Sequence, residues 1–204
     1  FKWLADNESI DDRLINHIYK SANRINSVDF LEELSLVKKK NQYSLKVALE
    51  VYRKNDLMDE VSPLEKEYRS QCGSDKWFST FRAKKLIDFG LYEEASDAFK
   101  SIKGQKLYYA ISLLKGKKIN KAFKIFSSFK SNHKDYFTAQ RYVADISFYE
   151  NENWELSASA YLNVLNSKFD YQVNLRYLKS QILMGTGLNE LDLSRVDRED
   201  QFYL

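Results

Sequence analysis

The sequence predicts an all-α fold, an array of antiparallel helix pairs, and three observations predict it. Turn-forming residues are scarce, since the 204 residues contain only 6 Gly and 1 Pro, whereas average usage would give about 14 and about 10. Tight turns depend on these two residue types, so a chain that nearly lacks both favours helices. Apolar residues recur at helical spacing rather than in alternation. The stretches between these patterns are short, which makes successive helices antiparallel neighbours.

The composition excludes several classes of protein. A hydrophobic share of 44% and a charged share of 30% are globular values and exclude global disorder. A single cysteine, Cys72, excludes an internal disulfide framework. No apolar run approaches the roughly 18 residues that a bilayer-spanning helix needs. The formal charge of +3 is too small to identify a partner by itself.

Residues 1–75 are predicted to form a helical segment that packs on the rest of the chain. Ser9 and Asp12 fit a capping box at the start of a first helix. Its apolar stripe, and that of a second helix, contain Leu14, Ile15, Ile18, Ala22 and Ile25, and Phe30, Leu31, Leu34 and Val37. Tyr43, Val47, Val51 and Tyr52 indicate a third helix. We expect a fourth helix to begin with Ser62 as its cap and Pro63 in its first turn, and to end at Gly73.

From Ser74 onward the pattern repeats, and we predict helix pairs over about 76–104, 105–131, 133–167 and 170–204. The individual helices are expected over 74–89 and 92–102, 105–115 and 119–129, 133–150 and 154–166, and 170–184 with a truncated partner from Leu188. Glycines at 90, 104 and 116 are expected to end three of these helices.

One motif occurs three times. In this motif a small residue is followed four positions later by a large aromatic one, and an alanine lies twelve or thirteen positions before the small residue. The three sets are Ala83, Ala95 and Phe99, then Ala110, Ala122 and Phe126, then Ala144, Ser157 and Tyr161. The small side chain lets two helices approach closely, and the ring fills the groove to the next pair. Together with the turn at Gly90, this resembles the signature of the tetratricopeptide repeat. The spacings of 27 residues from Ala95 to Ala122 and 35 from Ala122 to Ser157 depart from that family's period of 34.

The resemblance implies a curved array that binds a peptide in a groove lined by the first helix of each pair. At the groove positions the sequence places Trp77, Lys84, Asp88, Arg141, Tyr142, Tyr149 and Arg176. Arg141 and Tyr142 are partly alternatives, because the register of their helix is uncertain by one residue. The family's clamp for a C-terminal carboxylate does not carry over: Thr80, Ile146 and Ser180 stand at three of its positions.

The sequence contains no recognisable set of catalytic or metal-binding residues. His17, Cys72 and His133 are isolated from one another, whereas a zinc site needs paired ligands at short spacing. We therefore expect a protein that is not an enzyme and that has no cofactor and no metal.

The charge distribution singles out one segment. Between Ser101 and Lys134 there are nine lysines and no acid. Lys117, Lys118, Lys121 and Lys124 cluster around one predicted helix as a candidate anion-binding site, and we expect Lys117, Lys121 and Lys124 to share one face of it. The alternative is that these lysines are solvated or neutralised by acids of adjacent helices.

Two functions follow as expectations. The first is a non-catalytic scaffold that binds a protein or peptide partner or forms a homo-oligomer. The alternative is an accessory domain of a larger bacterial enzyme, for example a polymer-synthesising glycosyltransferase, that holds an anionic polymer through the lysine-rich segment. The start at Phe1 suggests a piece of a longer protein, and the frequent Lys, Asn, Ser and Phe suggest a bacterial source. We expect a cytoplasmic location.

Overall fold

A computed structural model describes residues 16–17, 20–21, 24–25, 28–29, 41–187 and 190–197. The predicted all-α fold class is confirmed, because these residues contain nine complete helices and no strand. The helices are α1 Gln42–Lys54, α2 Met58–Cys72, α3 Lys76–Asp88, α4 Tyr92–Ser101, α5 Lys106–Lys115, α6 Ile119–Ser127, α7 Tyr136–Tyr149, α8 Trp154–Ser167 and α9 Tyr171–Leu183. No helix among the described residues is both long and apolar enough to cross a membrane.

The chain divides into two compact units, Phe1–Lys85 and Leu86–Leu204, and the boundary falls inside α3. The predictions for the capping box at Ser9 and for the stripe from Phe30 to Val37 lie outside the described residues. The described positions between 16 and 29 are helical. The packing of residues 1–75 on the later helix pairs stays a prediction.

In the first unit, α1 packs against α2, and aromatic rings join α2 to α3. Leu45, Leu49, Val51 and Val61 are completely buried. The ring of Tyr68 stacks on that of Phe78, with centroids 5.1 Å apart. These side chains form one continuous core.

In the second unit, each helix from α4 to α9 packs against the next one along the chain. The small residues of the repeated motif are completely buried: Ala95, Ala122 and Ser157 are each 0% exposed. Ser157 Oγ donates a hydrogen bond to the carbonyl of Ala144, the upstream small residue of its set, at 3.2 Å. Two aromatic residues of the motif reach the following pair: Phe99 stacks on Tyr108 at 5.4 Å, and Phe126 stacks on Tyr142 at 4.6 Å. Tyr161 instead donates a hydrogen bond to Asp145 of α7, the first helix of its own pair, at 2.7 Å.

A recurrent turn closes the first helix of each pair. At Asp56, Gly90, Lys117 and Gly185 the chain adopts a positive φ of 59°, 75°, 59° and 92°. In each case the next residue donates a hydrogen bond back over five positions, as from the Leu91 amide to the Leu86 carbonyl at 2.9 Å. This is the Schellman arrangement, in which the residue of left-handed conformation is usually glycine. Glu152, with φ 49°, ends α7 in a variant that is one residue longer, where the Asn153 amide reaches the Ser147 carbonyl.

We call these five positions the turn residues. They are separated by 34, 27, 35 and 33 residues. The pair α1–α2 therefore shares the turn and the spacing of the later pairs, although its sequence shows no alignable motif.

Two details of the predicted elements are wrong. Helix α2 begins at Met58 and contains Pro63 in its interior, so Ser62 is not its cap. Burial of Val61 against the core favours the additional turn before the proline. Residues 190–197 form no α-helix, so the described part of the partner predicted from Leu188 contains none. The predicted end of α5 at Gly116 is confirmed, although the left-handed residue of the turn is the next one, Lys117.

Candidate functional site

The lysine surface consists of Lys117, Lys118, Lys121 and Lys124, on and just before α6. This helix is strongly amphipathic: Ala122 and Phe126 are completely buried, whereas Lys121 and Lys124 are exposed. Lys121 and Lys124 stand three residues apart on α6, which places them on one side of the helix. Lys117, predicted on the same helix face, lies instead in the turn before α6, with φ 59°.

One member of this surface is paired with an acid. The ammonium of Lys118 binds a carboxylate oxygen of Glu93 at the start of α4. Because it hydrogen-bonds to Lys118, the pKa of Glu93 is lowered, and the pKa of Lys118 is raised by the same hydrogen bond. Both side chains are well exposed, so solvent screens the pair and it contributes little to stability.

Two more lysines of the acid-free segment rest on aromatic rings. Lys106 Nζ lies 5.0 Å from the ring centre of Phe129, and Lys115 Nζ lies 6.0 Å from that of Tyr92. The remaining six are exposed and form no ion pair within the part of the chain that the structure describes; they are Lys103, Lys117, Lys121, Lys124, Lys130 and Lys134. Neutralisation by adjacent helices therefore accounts for Lys118 alone.

The groove residues predicted in the first unit already have intramolecular partners. Trp77 is half-buried, stacks on Phe81 with ring centres 5.4 Å apart, and carries the ammonium of Lys46 at 5.2 Å from its ring. Lys84 Nζ binds Glu50 Oε1 at 3.0 Å. Burial opposes ionisation of Glu50, but Lys84 and Arg53 outweigh it, and the pKa of Glu50 is lowered. Both groove residues thus contribute to the fold of this unit.

In the second unit, two predicted groove arginines are also paired. Arg141 lies 3.4 Å from Asp170, the residue that caps α9. Arg176 lies 2.9 Å from Asp145 Oδ1, which also accepts a hydrogen bond from the hydroxyl of Tyr161 at 2.7 Å. This cluster joins α7, α8 and α9.

The other three predicted groove residues differ in exposure. Tyr149 is 60% exposed and lies under the guanidinium of Arg176, at 5.9 Å. Tyr142 is half-buried and stacks on Phe126, with ring centres 4.6 Å apart. Burial raises the pKa of Tyr142, and the nearby Asp145 raises it further. Asp88 is exposed. Trp77 and Lys84 lie in the first unit and the other five in the second, so a single groove lined by all seven stays a prediction.

Sequence reasoning missed the polar cluster around Asp75. Its Oδ1 accepts from the amide of Phe78 at 2.7 Å, which caps α3, and its Oδ2 accepts from the hydroxyl of Tyr68 at 2.9 Å. Lys46 Nζ lies 3.3 Å from the same oxygen. Burial opposes ionisation of Asp75, but the amide of Phe78 and the two side chains outweigh it, and the pKa of Asp75 is lowered. An aspartate just before a helix was the available signal, because aspartate is a preferred cap.

The residues considered for chemistry are His17 and Cys72 in the first unit and His133 in the second. His133 packs edge-on against Phe129, and Cys72 is a half-buried free thiol. Among the described residues, no group of three or more His, Cys, Asp or Glu side chains is placed to hold a metal ion. In the comparisons with known proteins, no protein-family model, no curated protein and no solved structure matches the chain.

Proposed function

We propose that this chain is a non-catalytic helical-repeat scaffold whose lysine surface binds an acidic segment of a protein partner. The observation that carries the proposal is the set of exposed lysines without acid partners, on and around α6. Three charged groove residues, Lys84, Arg141 and Arg176, are in contrast paired within the fold. Membership in the tetratricopeptide-like class, a bacterial source and a cytoplasmic location belong to the same proposal. The spacing of the turn residues, which includes intervals of 34, 35 and 33 residues, supports the repeat class.

The physical basis is electrostatic attraction summed over several weak contacts. One exposed ion pair contributes only about 0.2 to 1 kcal/mol, so a single lysine cannot hold a partner. Several like charges on one side of a helix act together, raise the association rate and orient the partner. Helix α6 itself is held in place, because Ala122 and Phe126 on its other face pack in the core.

The test is charge reversal with a matched control. Lys121→Glu combined with Lys124→Glu should leave the fold intact, because both side chains are exposed, and should abolish binding of a polyglutamate peptide. The control is Lys168→Glu combined with Lys179→Glu, which makes the same charge change at exposed positions outside the lysine surface. Isothermal titration measures binding, and circular dichroism checks the fold. Equal binding by both double variants would remove the lysine surface from the proposal.

A second candidate is an accessory domain of a larger enzyme that holds an anionic polymer, as in the alternative from sequence. It is favoured by the distribution of the six unpaired lysines, which spread along the segment from Lys103 to Lys134 rather than clustering at one point. For a polymer, affinity should rise with chain length and fall steeply with salt concentration. If the lysine surface binds one short acidic segment instead, affinity should stop rising once the probe is as long as that segment.

The scaffold also has a version in which the partner is a second copy of the chain. Sedimentation velocity over a range of protein concentrations tests it directly. A concentration-dependent dimer that the control double variant keeps and the Lys121→Glu, Lys124→Glu variant loses would assign the lysine surface to self-association.

A further inference from the structure

A small basic cleft lies in the first unit, far along the sequence from the lysine surface. Its volume is about 240 Å³, and it is lined by Ser62, Glu65, Lys66, Arg69, Phe78 and Arg82. Ser62, Glu65, Lys66 and Arg69 follow the helical spacing of three, four and seven along α2, and Phe78 and Arg82 face them from α3. Phe78 is only 3% exposed and stacks on Tyr68, so it is a fixed part of the wall.

The cleft exists because one repeat position is filled unusually. In three pairs the residue nine positions after the turn residue is a buried ring: Phe99, Phe126 and Tyr161. Phe99 and Phe126 stack on rings of the next helix, whereas Tyr161 contacts the preceding helix α7. In the α1–α2 pair the same position is Glu65. A carboxylate does not fill the space between α2 and the next helix as a ring does, and a cavity remains there.

The charge of this cleft is positive. Lys66, Arg69 and Arg82 are exposed and form no ion pair with any acid in the described part of the chain. Glu65 is the one acid among the described residues of the wall, and its Oε2 is bound by Lys85 at 2.7 Å. Lys85 therefore offsets the charge of Glu65, and three cationic groups are left to face the cleft.

We propose that this cleft binds a phosphate monoester. A phosphate carries a charge near −2 and three acceptor oxygens, which three cationic groups satisfy better than they satisfy a singly charged carboxylate. Arginine binds phosphate through two parallel N–H donors, and two of the three groups are arginines. Pockets for whole small molecules occupy about 300 to 1,000 Å³, so this cleft takes the phosphate group and leaves the rest of the ligand outside. The phosphate belongs either to a phosphorylated side chain of a partner protein or to a phosphorylated metabolite.

The experiment uses the full chain labelled with nitrogen-15 and three probes: inorganic phosphate, a phosphoserine peptide and a sugar monophosphate. Each probe should shift the amide signals of residues in and beside the cleft at millimolar or lower concentration. Arg69→Gln combined with Arg82→Gln should weaken binding by about tenfold or more, because hydrogen bonds to charged groups are among the strongest. Lys76→Gln, an exposed change in the same unit, should alter binding less than about twofold, in the range of a screened surface charge. Arg69→Lys should bind with intermediate affinity, because it keeps the positive charge and loses the two parallel N–H donors of arginine.

Glu65→Phe supplies an independent check. It places a ring where the other pairs have one, and should fill the cleft and abolish binding while all three cationic groups remain. Tighter binding of the peptide than of inorganic phosphate identifies a partner protein as the source, and tighter binding of the sugar phosphate identifies a metabolite. Absence of shifts in the cleft with every probe, or equal losses in Lys76→Gln and the double arginine variant, would overturn the proposal. The lysine-surface variants lie in the other unit, so the two proposals fail or succeed separately.

Discussion

Replacing Ala122 by aspartate tests the packing on which the array depends. Ala122 is 0% exposed, on the face of α6 that carries the completely buried Phe126. A carboxyl group placed there has no partner, and burial raises the pKa of such a group by about 3 to 5 units. At 1.36 kcal/mol per unit, keeping it charged at neutral pH costs about 4 to 7 kcal/mol. Total stability is about 5 to 15 kcal/mol for an ordinary domain, so Ala122→Asp should largely unfold the second unit.

Asn120→Asp is the matched control, because Asn120 is exposed on the same helix and receives the same side chain. Urea denaturation followed by circular dichroism measures both variants at pH 7 and near pH 4. The buried aspartate has a raised pKa, so its native state binds more protons than its unfolded state, and its destabilisation must increase as pH rises. An Ala122→Asp variant as stable as Asn120→Asp, or one equally destabilised at both pH values, would refute this account of the crossing.

The remaining predictions concern the turns and the first unit. Gly90→Ala should lower the free energy of unfolding by about 1 kcal/mol, because φ is 75° there and the space around the added Cβ is open. Glu152→Gly should raise it by up to about 1 kcal/mol, because glycine relieves the same strain at φ 49°. Thermal melts measure both changes. Asp75→Ala should cost about 1 to 2 kcal/mol through loss of the cap and of the Tyr68 hydrogen bond, seen as faster hydrogen exchange in α1 to α3. The pKa values of Asp75 and Glu50 are lowered in the fold, so their contribution is complete above the ordinary carboxyl pKa of about 4 and is lost as pH falls through the folded values; hydrogen exchange should show the first unit weakening in acid.

The helices of the second unit were predictable because each feature that specifies them is local. The sequence boundaries for α4, α5 and α8 agree with the structure within about one residue. Pro63 shows where a local rule fails. Proline favours the first turn of a helix, but Val61 and Met58 pack on the core of the first unit and extend the helix before it. The tertiary contact outweighed the local preference.

The candidate site was predictable only in part, since pairing depends on residues distant in sequence. The acid-free segment was predictable, and so was the helix face shared by Lys121 and Lys124, whereas Lys117 lies in the turn before that helix. The ion pair between Arg176 and Asp145, which are 31 positions apart, could not be predicted from the sequence. No spacing rule relates those two positions, because they meet only after α7 and α9 have packed around α8. Arg141 and Arg176, which the sequence indicated as interaction anchors, therefore form ion pairs within the second unit.

The turn residues explain why the first pair escaped detection. Asp56, Lys117 and Glu152 occupy a backbone position that is usually glycine, so only the turns at Gly90 and Gly185 could be recognised by residue type. Once the turns are aligned, Val61 takes the place of the small residue at the crossing and Glu65 takes the place of the ring. Val61 keeps the packing role, since it is 0% exposed. Glu65 does not fill the space that a ring would fill, and the basic cleft lies at this position. The departure from the repeat pattern and the candidate phosphate site are thus one feature, which is why restoring a ring at position 65 should remove the site without removing its charges.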